Sequence, residues 1–297
     1  MNIYKAIAAN KTKTVIFIFL FILFFSLVFY LIGNALGNPK IYFLIGLVIS
    51  IFSGFASYFY SDKYVIFVTK AKPALKENYF DYYTVAENLS IAAGIPKPKL
   101  YIIESESMNA FATGRNPNHS LICVTTGLLH KLERKEIEGV ISHELSHIQN
   151  YDILIASVVS VLAGTLVIAI DFISRGWLFR GNIDRDNRQM SYLSLILLLI
   201  VFIFAPITAT LIQLAISRKR EYLADANGAL LTRYPEGLAQ ALEKISSDKY
   251  LLAHASGATA HLFISNPLKK NNYMGKLSSL FSTHPPIRDR INILREM

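Results

Sequence analysis

Residues 132–152, LERKEIEGVISHELSHIQNYD, set Ile137, Ile141, Leu145 and Ile148 three to four positions apart, the rhythm of one helical face. Charges run the length of the same stretch, so this helix is not itself a membrane span. Residues four apart on a helix stand one turn from each other on one face. His143 and His147 therefore come together, with Glu144 on the adjoining edge. Two imidazoles so placed can direct their nitrogens at one ion. Catalytic zinc sites keep three protein ligands and leave one position open to water. A glutamate beside the first histidine is placed to take a proton from that water and hand it on to a leaving amine. The bland alternative is a pair of solvated histidines on a wet helix.

The rest of the chain speaks of a bilayer. Of 297 residues, 53% are hydrophobic and only 17% charged, against about 25% charged in an ordinary soluble domain; mean hydropathy is +0.37. Net charge is +9, which juxtamembrane Lys and Arg facing anionic lipid explain without invoking nucleic acid. The single cysteine, Cys123, lies in the apolar run LICV and fits a reducing compartment. Four stretches reach the roughly 20 apolar residues that a spanning helix needs: residues 15–33, 41–59, 153–173 and 192–216. The first two are joined by NALGNPK and form a hairpin; Asp171 closes the third, and Pro206 kinks the fourth.

Between the hairpins, LKENYFDYYTVAENLSIAAGI reads as a helix stopped at Gly94 with Pro96 beyond. KLYIIES, NAFATG and SLICVTTG read as short strands. The domains expected are an N-terminal hairpin (1–60), a first catalytic part (61–152), a second hairpin (153–216) and a second catalytic part (217–297).

A third ligand is required. The H-x-x-G-x-x-H pattern is absent after His147, since Asn150 stands at the glycine position, which disfavours a metzincin. SRKREYLADANGALL offers Glu221 with Asp225 four residues on. Either Glu221 binds the metal while Asp225 fixes a ligand histidine's tautomer, or both carboxylates balance Arg218, Lys219 and Arg220. His147 lies six residues before the third span and Glu221 five after the fourth. At 1.5 Å per residue both sit within about 10 Å of the bilayer edge, and two crossings return them to one side.

With these five residues in this order around a membrane hairpin, the sequence resembles the HtpX-type membrane zinc endopeptidases, relatives of the CAAX-prenyl-protein and Oma-type proteases. MNAFATG (108–114), HELSHIQNYD (143–152), REYLADANGA (220–229) and LFSTHPPIRDRI (280–291) carry the resemblance across most of the chain. It implies an α-rich α+β fold: four transmembrane helices and a gluzincin-like domain with a small edge-strand sheet. It also implies one zinc on His143, His147 and Glu221, with Glu144 as base, and quality-control proteolysis of membrane proteins. Asn109, Ala110, Phe111 and Ala112 then belong to an edge strand that pairs with substrate, or else to an ordinary edge. His284, aimed by Pro285 and Pro286, donates to the developing oxyanion or merely packs in a loop before the last helix. Arg290 is a second donor toward substrate or a partner of the carboxylates. Asp152 orients a ligand histidine or only marks the break before the span.

Lys5, Lys11, Lys13, Lys63, Lys70, Lys72, Lys76, Arg218, Lys219 and Arg220 fall on one side of this topology. Lys40, Arg175, Arg180, Arg185 and Arg188 fall on the other. Ten against five puts the catalytic segments of a multi-pass cell-membrane protein in the cytoplasm, with proteins or peptides as substrates. A metal-binding scaffold without turnover is the competing function, and an intact Glu144 argues against it. A channel is disfavoured, because Asp171, the one charge found inside a span, sits at its end.

Overall fold

A computed structural model describes residues 3–35, 37–178, 218–252, 258–267 and 285–297. Helix α1 (Ile3–Ala35) and helix α2 (Pro39–Thr69) form the expected hairpin, with Pro39 at the first turn of α2, where its missing N–H costs nothing. Their contact is built from small residues: Gly46, Ser50, Gly54, Ser57 and Ser61 line the buried stripe of α2. A Cβ on Gly46 would lie 2.5 Å from the Phe29 Cβ, so only glycine admits this approach. Ser57 Oγ donates to the Gly54 carbonyl at 2.7 Å, satisfying a hydroxyl that has no water to turn to. The outward faces carry Val15, Phe19, Leu44 and Phe52, all exposed, as lipid-facing helices do. α2 runs ten residues past the span expected at 41–59, because Ser61, Val65 and Thr69 continue its buried stripe.

Beyond α2 a four-stranded sheet forms in the order β1-β2-β4-β3. Its strands are β1 (Lys72–Pro73), β2 (Lys99–Ile103), β3 (Ala110–Asn116) and β4 (His119–Thr125). β2 and β4 are parallel; the outer two pair antiparallel. β3 is thus an edge. The two-residue β1 was not legible as a strand. Helix α3 (Phe80–Ala93) stops at Gly94 as expected, and the short α4 (Thr126–Lys131) begins at Thr125, whose hydroxyl accepts from the Leu128 N–H.

Helix α5 (Arg134–Gln149) opens with a reciprocal capping box between Glu133 and Glu136. Its Ile137, Ile141, Leu145 and Ile148 are buried in one core with Leu100 and Ile102 of β2, Ile122 of β4 and Val85 of α3. Helices α7 (Arg218–Thr232), α8 (Pro235–Ser247) and α9 (Ile287–Arg295) close that core. α7 comes so near α5 that a Cβ on Gly228 would meet Ser142 Oγ at 3.0 Å and the His143 nitrogen at 3.1 Å.

α5 and helix α6 (Asp152–Leu178) meet at an 83° bend, where Tyr151 takes a left-handed backbone with φ +59°. Leu154, Val158, Leu162 and Leu166 of α6 pack against Phe21, Phe25 and Val28 of α1. Two helices among the described residues, α1 and α2, are long and apolar enough to cross a membrane, and a third candidate exists if the bent α5–α6 pair counts as one. The expected fourth span, 192–216, lies outside the described residues.

Candidate metal centre

α5 places His143 and His147 on the face that α7 covers, and α7 brings Glu221 and Asp225 to meet them. One donor atom each from His143, His147 and Glu221 lies within 4.8 Å of the others. The two Nε2 atoms are 3.1 Å apart, and Glu221 oxygens stand 3.5 Å from His147 Nε2 and 3.9 Å from His143 Nε2.

Each imidazole is held from behind. His143 Nδ1 is 3.0 Å from Asp225 Oδ1, and His147 Nδ1 is 3.0 Å from Asp152 Oδ2. A carboxylate accepts and cannot donate, so each Nδ1 carries the proton and each Nε2 turns a lone pair toward the centre. Two such lone pairs 3.1 Å apart beside a carboxylate repel one another unless something positive lies among them, a metal cation or a proton on His147 Nε2. The donor set, two imidazole nitrogens and a carboxylate oxygen, is one that zinc accepts. The residues fit a metal.

Arg290, fully buried on α9, forks onto Asp225 through Nε at 2.8 Å and Nη2 at 2.7 Å, leaving Nη1 3.5 Å from Glu221 Oε2. Burial works against its charge, but Asp225 outweighs it and raises the Arg290 pKa. Burial likewise opposes ionisation of Asp225, and Arg290 overrides it, lowering that pKa. Burial lowers the His143 pKa, keeping it neutral as a ligand must be. His147 is also buried, yet the Asp152 hydrogen bond and Glu221 outweigh that and push its pKa up to about 9.

Glu144, 2% exposed, is lifted to about 7 by burial. The Ala112 N–H of β3 donates to it. That N–H faces away from β4, as do the backbone groups of Ala110 and Gly114. The chain itself engages those neighbours: the Ala110 carbonyl accepts from the Ile264 N–H at 2.9 Å, and the Gly114 N–H donates to Ser157 Oγ at 3.2 Å.

The structure thus gathers His143, Glu144, His147, Glu221, Asp225, Asp152 and Arg290 in one cluster, with Ala112 at its rim. Phe111 is instead buried in the sheet core against Phe263, and Asn109 uses its side chain on the Ser265 backbone at 2.9 Å. His284 lies outside the described residues. Sequence reasoning missed Arg220 and Asn10, both in contact with Asp152. Asn10 did leave a signal: it heads the buried stripe Asn10, Thr14, Phe17, Phe21, Phe25 and Val28, a polar side chain on an apolar face.

A small sheet under a helix bearing His-Glu-x-x-His, met by a carboxylate from a second helix, defines a metallopeptidase. The chain belongs to peptidase family M48, whose model matches residues 81–297. The protease HtpX homolog of Dictyoglomus thermophilum is 45% identical over 99% of this chain and 94% of its own length. Those of Caldanaerobacter subterraneus subsp. tengcongensis and Streptococcus uberis are 42% and 41% identical, covering 100% and 99% of this chain and 98% and 100% of theirs. The crystal structure of S. mikatae Ste24p shares the fold at 18% identity and a TM-score of 0.51, over 98% of this chain and 66% of that longer one. This chain is a membrane metalloprotease.

Proposed function

We propose that the chain is an endopeptidase holding one zinc ion on His143, His147 and Glu221, and that it cuts membrane or misfolded proteins at the cytoplasmic face in quality control. The observation that carries this is the position of Glu144: a buried carboxyl beside three converging donor atoms and hydrogen-bonded to an edge strand. Zinc bound there would polarise the scissile carbonyl and acidify water. Glu144 takes the proton of the attacking water and returns it to the leaving nitrogen. Burial raises the Glu144 pKa and so makes the carboxylate a stronger base than an exposed one, as taking that proton requires. Asp225 and Asp152 keep the imidazoles in one tautomer and one orientation. A peptide laid along β3 as an added strand finds the outward Ala112 carbonyl next to Glu144, and backbone pairing demands little of substrate side chains. Closeness to the membrane helices favours membrane substrates: Asp152, which accepts a hydrogen bond from the His147 Nδ1–H, also accepts from Asn10 of α1.

Glu144→Gln tests this. It preserves size and hydrogen bonding but cannot accept water's proton. Purified protein should retain its zinc while casein cleavage falls by roughly 10²–10⁴-fold, the usual cost of losing general acid–base help. Cleavage near the wild-type rate would remove Glu144 from the reaction.

A further inference from the structure

The elbow between α5 and α6 is held by the first membrane helix. Asn10 Nδ2 donates to Asp152 Oδ1 at 2.8 Å and to the Asn150 carbonyl at 3.0 Å. Its Oδ1 accepts from Arg220 Nη1 at 3.1 Å, and the same guanidinium nitrogen reaches Asp152 Oδ1 at 3.2 Å. These partners fix the amide's orientation, because the two carbonyl and carboxylate oxygens require its nitrogen and the guanidinium requires its oxygen. Asn10, Asp152 and Arg220 are 3%, 8% and 8% exposed, so water competes little for these bonds. One position along α1, the Lys11 ammonium sits 4.5 Å above the Tyr151 ring, gripping the residue whose left-handed backbone makes the bend.

We propose that Asn10 is a positioning residue of the metal centre. By holding Asp152 Oδ1, it aims Oδ2 at His147 Nδ1 and so orients the imidazole that faces the ion. Asp152 follows a sharp bend and has no helical turn before it to fix its side chain. Two donors on Oδ1, one from α1 and one from the helix bearing Glu221, supply that constraint. The first membrane helix is then part of the site as well as its anchor: moving α1 away from the elbow loosens a ligand. The inference rests on His147 and Glu221 being zinc ligands, and its test separates the two ideas.

The measurement is the rate at which full-length, zinc-loaded protein in detergent releases zinc to a chelator. Asn10→Asp keeps the side chain's shape and the acceptor for Arg220, but turns an oxygen toward Asp152 in place of a donor. It and Asn10→Ala should release zinc about tenfold faster, the lower end of what outer partners of metal ligands contribute. Thr14→Val, one turn along the same buried stripe, where the hydroxyl donates to the Asn10 carbonyl at 2.8 Å and makes no bond to Asp152, should release zinc at the wild-type rate. Unchanged thermal midpoints in the chelated Asn10 variants would show that the fold is intact. Because Asn10 acts through Asp152, adding Asn10→Ala to Asp152→Asn should accelerate release no further. Wild-type release from both Asn10 variants alongside faster release from Asp152→Asn overturns the proposal, as does strict additivity in the double variant. Should His147→Ala also hold zinc as firmly as wild type, the ligand assignment has failed and the positioning role falls with it.

Discussion

Asp225 faces two partners of unequal demand: the His143 Nδ1–H at 3.0 Å and the forked guanidinium of Arg290. The arginine supplies the charge that keeps Asp225 ionised in the interior, and Asp225 in turn supplies the acceptor that settles the His143 tautomer. Asp225→Asn retains an acceptor for the imidazole but loses the charge, so zinc affinity should drop by about 10–100-fold in a chelator competition. Arg290→Met should be harsher on the fold, because it leaves a buried carboxylate unpaired. Breaking such a pair from one side costs about 3–5 kcal/mol, readable as a lower urea midpoint. The double variant Asp225→Asn/Arg290→Met should recover much of that stability. If the single and double variants unfold alike, Arg290 is not what compensates Asp225.

At the scale of elements, the site exists because α7 lies against α5, and Gly228 permits that approach. A leucine there would drive its Cβ within 3.0 Å of Ser142 Oγ and 3.1 Å of the His143 nitrogen. Overpacking of this kind costs about 1–3 kcal/mol. Gly228→Leu should therefore lower the thermal midpoint and shed zinc together, whereas Leu230→Ala on the exposed side of α7 should do neither. Midpoint and zinc content both unchanged in Gly228→Leu would mean that the helices are not wedged there. The five residues of the two motifs were legible in the sequence because each pair sits four apart on one helix, and a turn of helix is local. Their meeting across 78 residues, from His143 to Glu221, was legible from the two crossings that return the chain to one side, and from the resemblance. Arg290 was left between a donor toward substrate and a partner of the carboxylates, and Asn10 was not singled out, since their partners lie 65 and 142 positions away and no local period connects them. The helix α3, its stop at Gly94 and the three longer strands followed from periodicity and turn residues. The two-residue β1 did not, being set by pairing with β2 and not by any pattern of its own.

At the scale of the molecule, sidedness decides which substrates the site meets. α1 and α2 form a closed hairpin whose far end carries the exposed Lys40, while α2 returns to the sheet and the exposed Lys76. Lysines crowd the sheet end of this hairpin, and Lys40 stands alone at the other, the asymmetry that retains a loop in the cytoplasm. The only native cysteine, Cys123, is fully buried in the sheet and offers no background to a thiol reagent. A cysteine in place of Lys40 should then react with a membrane-impermeant maleimide in intact cells, and one in place of Lys76 only after the membrane is opened. Both sites are exposed, so a failure to label reports the barrier and not burial. Labelling of the Lys76 position in intact cells, with the Lys40 position protected, would turn the hairpin over and put His143, His147 and Glu221 on the outer face. The substrates would then be proteins outside the cytoplasm, and the Lys and Arg excess would need another explanation than retention.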